Sequence, residues 1–348
     1  MKALRIYGEL DMRLEDVSIP EINDDQVLVK VSAVGICTTD IELYDGSMSY
    51  FNQGLSKRPM IPGHEWSGFI SKIGKNVKNL KKGDLVVGDI SIGCGKCHNC
   101  LKGAYNLCDN RTELGVMKYD GAFAEYLKTD GKNVYKVPRN ITPEEAALVE
   151  PTATVTYAVR KTGIEPGALV TIFGDGTIGL LNAQVAKACG ASSVVVVARK
   201  SVHSEKVKKW GIKLINSNEI DVVGGIKKCF GSLSDIVFEC TGNADAFESA
   251  VRSVKPGGKI CALSITGRPA IPVDMDYIVT RDITVVGVLA SPNSFDPALK
   301  LIASRKIDVR SCISHRYPFE KSLEAFDFVR NSSGKDRIKV LVILEWPI

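Results

Sequence analysis

The sequence predicts a two-domain α/β protein, with an irregular β-rich half to about residue 150 and a doubly wound parallel sheet after it. Three observations predict this. The chain has 348 residues, more than a single hydrophobic core usually organises. Before residue 150, short β-branched runs are punctuated by Gly, Pro, Asn and Asp, the texture of a barrel of short strands. From Pro151 onward, strand and helix patterns alternate, and a G-x-G-x-x-G run follows the first of these strands, as in a nucleotide-binding sheet.

In the first half, residues 26–33, 65–73 and 84–90 read as strands, with corners at Pro62, Gly63, Gly74, Gly83, Gly88 and Gly93. In the second half, strands are expected over residues 169–173, 194–198, 213–215, 235–239, 259–263 and 283–288. Helical patterns fall at residues 179–189 and 203–210. A further helix is expected over residues 296–304, and the apolar run 339–344 returns the tail to the first domain. No internal repeat or low-complexity segment interrupts this order.

The bulk properties narrow the class. Hydrophobic residues make up 45% and charged residues 24% of the chain, as in an ordinary globular protein. No apolar run approaches the roughly 20 residues that span a bilayer. The opening Met1-Lys2-Ala3-Leu4-Arg5 lacks an apolar leader and reads as the start of a strand. A cytoplasmic protein with no membrane partner is expected. The net charge of +5 is scattered among 40 acidic residues, a solvated surface and not a nucleic-acid footprint. Ten cysteines in a chain of this size and compartment favour metal binding or core packing over disulfides. Cys189, Cys229, Cys240, Cys261 and Cys312 stand singly in apolar or helical contexts and read as core.

The glycine run is Gly174-Asp175-Gly176-Thr177-Ile178-Gly179, between a strand and a helix. Gly174 permits the turn, Gly176 lets a diphosphate approach the backbone, and Gly179 allows close helix–strand packing. Free N–H groups and the dipole at the helix start then stabilise the phosphates. Asp175 is expected to face away, because a carboxylate pointing inward would repel them. At the end of the next strand, where an NAD enzyme carries an acid for the ribose 2′-OH, stand Ala198, Arg199 and Lys200. Two cations and no acid suit a 2′-phosphate, so NADP(H) is expected in preference to NAD(H). The alternative is a basic surface loop beside an NAD site without its acid.

Two metal sites are expected. Cys94, Cys97, Cys100 and Cys108 form a C-x2-C-x2-C-x7-C run, a four-thiolate set with no vacancy, as structural zinc prefers. Glycines 93, 95 and 103 free the loop to wrap an ion, and His98 is not needed as a ligand. The second set is Cys37, His64, Glu65 and Glu150, mixed donors that suit zinc with one exchangeable position. There zinc would act as a Lewis acid on an alcohol oxygen. Thr39 can relay the alcohol proton, and Asp40 can fix the His64 tautomer. Read alone, Thr39 and Asp40 are also helix-capping residues.

Taken together and in order, Gly35-Ile36-Cys37-Thr38-Thr39-Asp40, Gly63-His64-Glu65, the four-cysteine lobe, Glu150-Pro151 and the glycine run resemble the zinc-dependent medium-chain dehydrogenase/reductase family over essentially the whole chain. The resemblance implies a GroES-like catalytic domain over residues 1–150, completed by residues 292–348, and a Rossmann domain over residues 151–291. It places the active site in the cleft between them. Glu150 before Pro151 looks like the polyol branch, of sorbitol dehydrogenase and ketose reductase type, in which Glu65 or Glu150 trades places with water at the metal. Two features depart from common patterns. Many alcohol dehydrogenases have a histidine where Glu42 stands, so the proton relay beyond Thr39 differs. The Ala198-Arg199 pair is similar to NADP(H)-using ketose reductases.

The implied activity is interconversion of a secondary alcohol (polyol, sugar alcohol or cyclitol) and its ketone, with zinc and NADP(H). Short matches at Gly63–Gly68 and Glu113-Leu114-Gly115 are also similar to aminocyclitol dehydrogenases. A threonine or amino-alcohol dehydrogenase, or a non-catalytic NADPH-binding protein, are the other readings. Residues 283–288 offer an apolar strand for a homodimer or homotetramer. The loop 46–57, with Tyr50, Phe51 and Asn52, offers polar and aromatic contacts to a small-molecule substrate.

Overall fold

The computed structural model describes residues 1–267, 270–332 and 336–346. Its first large sheet has seven strands arranged around Gln26–Gly35. That strand is buried on both faces along most of its length, which explains its near-continuous apolar sequence. One edge pairs antiparallel with Glu65–Ile73. The other edge is divided: residues 26–30 pair with Tyr126–Asp130, and residues 33–35 pair with the strand Lys339–Ile343 from the far end of the chain. Register shifts at Leu28/Val29 and Val31/Ala33 mark bulges in the pairing with Glu65–Ile73, which add the local twist that curls such a sheet. Leu85–Gly88 and Val134–Lys136 extend the sheet on one side, and Ile313–Pro318 extends it on the other.

The second sheet has six parallel strands in the spatial order Lys213–Asn216, Ser193–Ala198, Leu169–Phe173, Ser234–Glu239, Val254–Ala262, Thr284–Gly287. This is the 3-2-1-4-5-6 order of a doubly wound dinucleotide-binding fold. Alternation along Ser193–Ala198 shows how it is filled. Val194 and Val196 join one apolar cluster with Ile172, Leu180 and Leu181. Val195 and Val197 join a second cluster with Phe173, Val237 and Ile260 on the opposite face. Every expected strand of this sheet is present: Leu169–Phe173 keeps its expected ends, and the others move by one to several residues.

The helix Val149–Thr162 was not legible as one, because Val, Thr and Tyr dominate its sequence. Three threonines make it possible. Thr152, Thr156 and Thr162 each turn the hydroxyl back onto the carbonyl four residues earlier, at 2.6–2.7 Å, and all three are buried. Their hydroxyls are thus satisfied inside the helix while their methyl groups pack. Val149, Ala153, Val155, Ala158 and Val159 of this helix join the core with Leu148 and Phe295, which ties it to the following sheet and to the helix Phe295–Ala303.

Candidate metal and dinucleotide sites

The strand Gln26–Gly35 delivers Cys37 to the start of the helix Thr38–Asp45, where Cys37 is the N-cap residue. Asp40, three positions in, accepts from Cys37 N at 2.9 Å and from Gly63 N at 3.1 Å, one bond to each carboxylate oxygen. It is fully buried. Asp40 therefore joins the start of this helix to the turn before the strand Glu65–Ile73 and fixes Cys37 against His64. Gly63 is required in that turn: its φ is +101°, and a Cβ would lie 2.6 Å from the Phe123 ring.

His64 Nδ1 faces Asp40 Oδ1 at 3.4 Å but makes no aligned hydrogen bond. That orientation leaves Nε2 as the nitrogen for an ion, with the carboxylate fixing the ring. Glu65 is equally buried. Its Oε2 accepts from Lys339 Nζ at 2.5 Å, and Lys339 also donates to Ile36 O at 3.1 Å. Gly35 makes room for this carboxylate, since a Cβ there would lie 2.3 Å from Glu65 Oε2.

One ligand atom from each of Cys37, His64 and Glu65 lies within 4.8 Å of the others. Sulfur, nitrogen and oxygen donors gathered this closely, the last two from buried residues, fit zinc. The electrostatics favour a cation as well. Burial pulls the His64 imidazole down, but Asp40 and Cys37 outweigh it and hold His64 well above its usual range. The structure does not bring Glu150 into that close trio. Glu150 lies buried in the first turn of Val149–Thr162, with Oε1 accepting from Thr154 Oγ1 at 3.3 Å. Burial pushes its carboxyl up to about 7; Glu65 and Asp89 add to the rise, and His64 and Lys339 oppose it. It thus faces the cluster electrostatically without joining it. Thr39 is partly exposed at the second position of the helix Thr38–Asp45. Glu42 is partly buried and its carboxyl is raised, by burial and by Asp45.

Cys94, Cys97, Cys100 and Cys108 also gather within 4.8 Å of one another. Backbone N–H groups already point at two of the sulfurs, Cys100 N to Cys97 Sγ and Cys94 N to Cys108 Sγ, each at 3.5 Å. Gly93 is needed because a Cβ would lie 2.7 Å from Cys100 Sγ, and Gly95 and Gly103 have φ of +76° and +77°. The ten cysteines are all unpaired.

At the glycine run, Gly174 has φ +106° and turns the chain out of Leu169–Phe173. A Cβ on Gly179 would lie 2.0 Å from Gly174 O, so the helix packs directly on the turn. Gly176 differs from both: a Cβ there would meet nothing within 4 Å. The fold itself does not need a glycine at Gly176. The open space is what a diphosphate needs for close approach. Gly176 is also the N-cap of the helix Thr177–Ala188, which has no side-chain cap, so its first N–H groups remain available to an anion. Thr177 and Ile178 are the first two residues of that helix, which starts two residues before the expected one.

Asp175 turns toward His203, whose Nε2 is 4.0 Å away. Ala198 ends its strand buried, and Arg199 and Lys200 follow it exposed. Sequence reasoning missed Lys339 and His203. The only signal for Lys339 was a lysine heading an otherwise apolar strand.

This pairing of a buried mixed-donor cluster with a glycine-turn dinucleotide site defines a metal-dependent nicotinamide dehydrogenase. The model of the alcohol dehydrogenase GroES-like domain matches residues 23–139, and that of the zinc-binding dehydrogenase matches residues 177–304. Sorbitol dehydrogenase of Bacillus subtilis (strain 168) is 32% identical over 330 residues, covering 94% of this chain and 93% of the relative. A zinc-binding dehydrogenase from Sinorhizobium meliloti 1021 bound to NADP superimposes with a TM-score of 0.91 at 31% identity, covering 98% of each chain. Galactitol-1-phosphate dehydrogenase from Escherichia coli gives a TM-score of 0.87 at 29% identity, covering 99% of this chain and 100% of the other. The chain belongs to the zinc-dependent medium-chain dehydrogenase/reductase family, as its motifs indicated, and is an enzyme of the alcohol/polyol dehydrogenase type.

Proposed function

We propose that the enzyme interconverts a secondary alcohol of a polyol, sugar alcohol or cyclitol and its ketone, with NADP(H) preferred over NAD(H). The observation that carries the proposal is the close Cys37, His64 and Glu65 trio, its histidine and glutamate buried, in a fold that also holds an open glycine turn. Zinc held there would supply Lewis acidity toward an alcohol oxygen, and a nicotinamide bound at the glycine turn would supply the hydride chemistry. Cys37, His64 and Glu65 hold the ion, and Asp40 keeps the first two in register. Lys339 occupies one oxygen of Glu65, so this carboxylate offers the ion its other oxygen. Glu150 stands beside the trio as an exchanging ligand. Thr39, partly exposed near the start of the helix that Cys37 caps, carries the alcohol proton outward. Cys94, Cys97, Cys100 and Cys108 hold a second, structural zinc.

The NADP(H) preference is supported by Ala198, which removes a carboxylate from the strand end, and by Arg199 beyond it. The B. subtilis sorbitol dehydrogenase and the E. coli galactitol-1-phosphate dehydrogenase support a polyhydroxy substrate. Residues 1–150 with 292–348 form the metal-bearing unit and residues 151–291 the dinucleotide unit. Unpaired cysteines throughout support a cytoplasmic location, and among the described residues no helix is long and apolar enough to cross a membrane. The edge strand Thr284–Gly287 with its exposed Val285 supports pairing into a homodimer, or a tetramer of such pairs.

The test is the initial rate of NADP+ reduction by zinc-loaded enzyme across polyols, sugars, sugar phosphates, aminocyclitols, threonine and simple alcohols, with NAD+ alongside. A polyol or cyclitol rate with NADP+ supports the proposal. Turnover of threonine alone, or equal rates with both cofactors, would contradict it.

A further inference from the structure

The segment Asp336 to Lys339 runs between the two sites. Asp336 Oδ1 lies 3.4 Å from His203 Nδ1, and His203 Nε2 lies 4.0 Å from the carboxylate of Asp175, inside the glycine turn. His203 is almost fully buried, and its Nδ1 has no aligned hydrogen-bond partner among the described residues. Two residues on, Ile338 O accepts from Thr177 Oγ1 at 2.9 Å, at the first residue of the helix behind that turn. Lys339 then reaches Glu65. Arg337 therefore lies between Asp336, which faces His203, and Ile338, which is bonded to Thr177 of the glycine run.

Arg337 itself is unmatched. It is partly buried, and its Nε is enclosed without a hydrogen-bond partner among the described residues. Among the described residues no charge offsets the burial, which alone pulls its guanidinium down. A guanidinium partly withdrawn from water without a counter-ion is costly, and such groups usually meet an anion. The missing anion has an obvious position. Beside this segment lie the uncapped start of Thr177–Ala188 and the open space at Gly176, and guanidinium geometry matches phosphate oxygens in pairs.

We propose that Arg337 is a cofactor-binding residue that takes the diphosphate of the dinucleotide, opposite the N–H groups of the helix Thr177–Ala188. This rests on the glycine run being the dinucleotide site. The diphosphate is common to NAD(H) and NADP(H), so Arg337 contributes affinity and Arg199 contributes discrimination. It also brings the segment that carries Lys339, and through it Glu65, into direct contact with the cofactor.

The experiment measures equilibrium binding of NADPH, NADH, ADP-ribose and adenosine 2′-monophosphate to wild-type, Arg337→Gln and Arg337→Lys enzyme, with thermal melting of each without cofactor. Wild-type binding of NADPH and ADP-ribose tests the dinucleotide site itself; its absence would overturn the underlying reading. Given that binding, Arg337→Gln is expected to weaken NADPH, NADH and ADP-ribose alike, by about 10- to 100-fold. It should leave adenosine 2′-monophosphate unchanged, and Arg337→Lys should recover part of the loss. Without cofactor, Arg337→Gln should melt no lower than wild type, because it removes an unmatched cation. NADPH and ADP-ribose affinities within twofold of wild type would overturn the proposal. So would a loss confined to NADPH and adenosine 2′-monophosphate, which would place Arg337 at the 2′-phosphate. A variant that melts lower, with Arg337→Lys binding as poorly as Arg337→Gln, would also overturn it by assigning Arg337 a structural role.

Discussion

Replacing Asp40 with alanine perturbs the joint on which the metal trio depends. Asp40 is fully buried and is the acceptor for Cys37 N and Gly63 N, at 2.9 and 3.1 Å. Removing it strands two N–H groups at about 1–3 kcal/mol each, so the fold should lose about 2–6 kcal/mol. That lies at the upper end of single-substitution effects. His64 also loses the carboxylate that faces its Nδ1 at 3.4 Å, and loss of such a partner typically weakens metal binding by about 10- to 100-fold. Chemical denaturation of the zinc-loaded protein reads the first effect, and competition with a chromophoric chelator reads the second. Asp40→Asn keeps one acceptor oxygen and should fall between the two. Asp40→Ala within about 0.5 kcal/mol of wild type, with unchanged zinc retention, would refute the reasoning.

Three further expectations follow from individual geometries. Gly176→Ala should fold normally, because its φ of −76° suits any residue and a Cβ there meets no atom within 4 Å, yet should bind NADPH about tenfold or more weakly; unchanged affinity by fluorescence titration would argue against the turn as the phosphate site. Ala198→Asp with Arg199→Leu should move the ratio of NADP+ to NAD+ efficiency toward NAD+ by about tenfold or more, and an unchanged ratio would contradict the 2′-phosphate assignment. Burial raises the Glu145 carboxyl, but bonds from Thr142 and Arg305 outweigh it and hold the group below its usual range. Its stabilisation is therefore present above the ordinary carboxylate range and is lost as pH falls through the lowered value. Arg305 is half-exposed, so most of the effect is the cap. Glu145→Ala should cost about 1–2 kcal/mol at pH 7, and its deficit in urea unfolding should narrow below about pH 4; a deficit that stays constant with pH would count against it.

Much of this architecture was readable because local rules and tertiary needs agree. The glycine run is legible since Gly174 needs a left-handed φ and Gly179 touches the turn, constraints that only glycine meets. The four cysteines are legible because their spacing alone lets one loop enclose an ion. The helix Val149–Thr162 was hidden because threonine back-bonding and burial override low helix propensity. Lys339 was hidden because its partner Glu65 lies 274 residues away, joined to it only when residues 33–35 pair with Lys339–Ile343. Glu150 carried the right chemistry for a ligand, but sequence order could not show that it stands outside the close trio. Cys37, not Thr39 or Asp40, is the N-cap of its helix, although Asp40 does serve the cap through its bond from Cys37 N.

Zinc content, NADPH affinity and turnover of the Cys37→Ser enzyme, measured on one preparation, test the central claim most directly. Two groups of side chains among the described residues could each hold an ion, so the account predicts that zinc falls from two ions per chain to one. Turnover should be lost and NADPH binding should persist. A Cys37→Ser enzyme that keeps both zinc ions and full turnover would contradict the assignment of the Cys37, His64 and Glu65 cluster as the catalytic metal site.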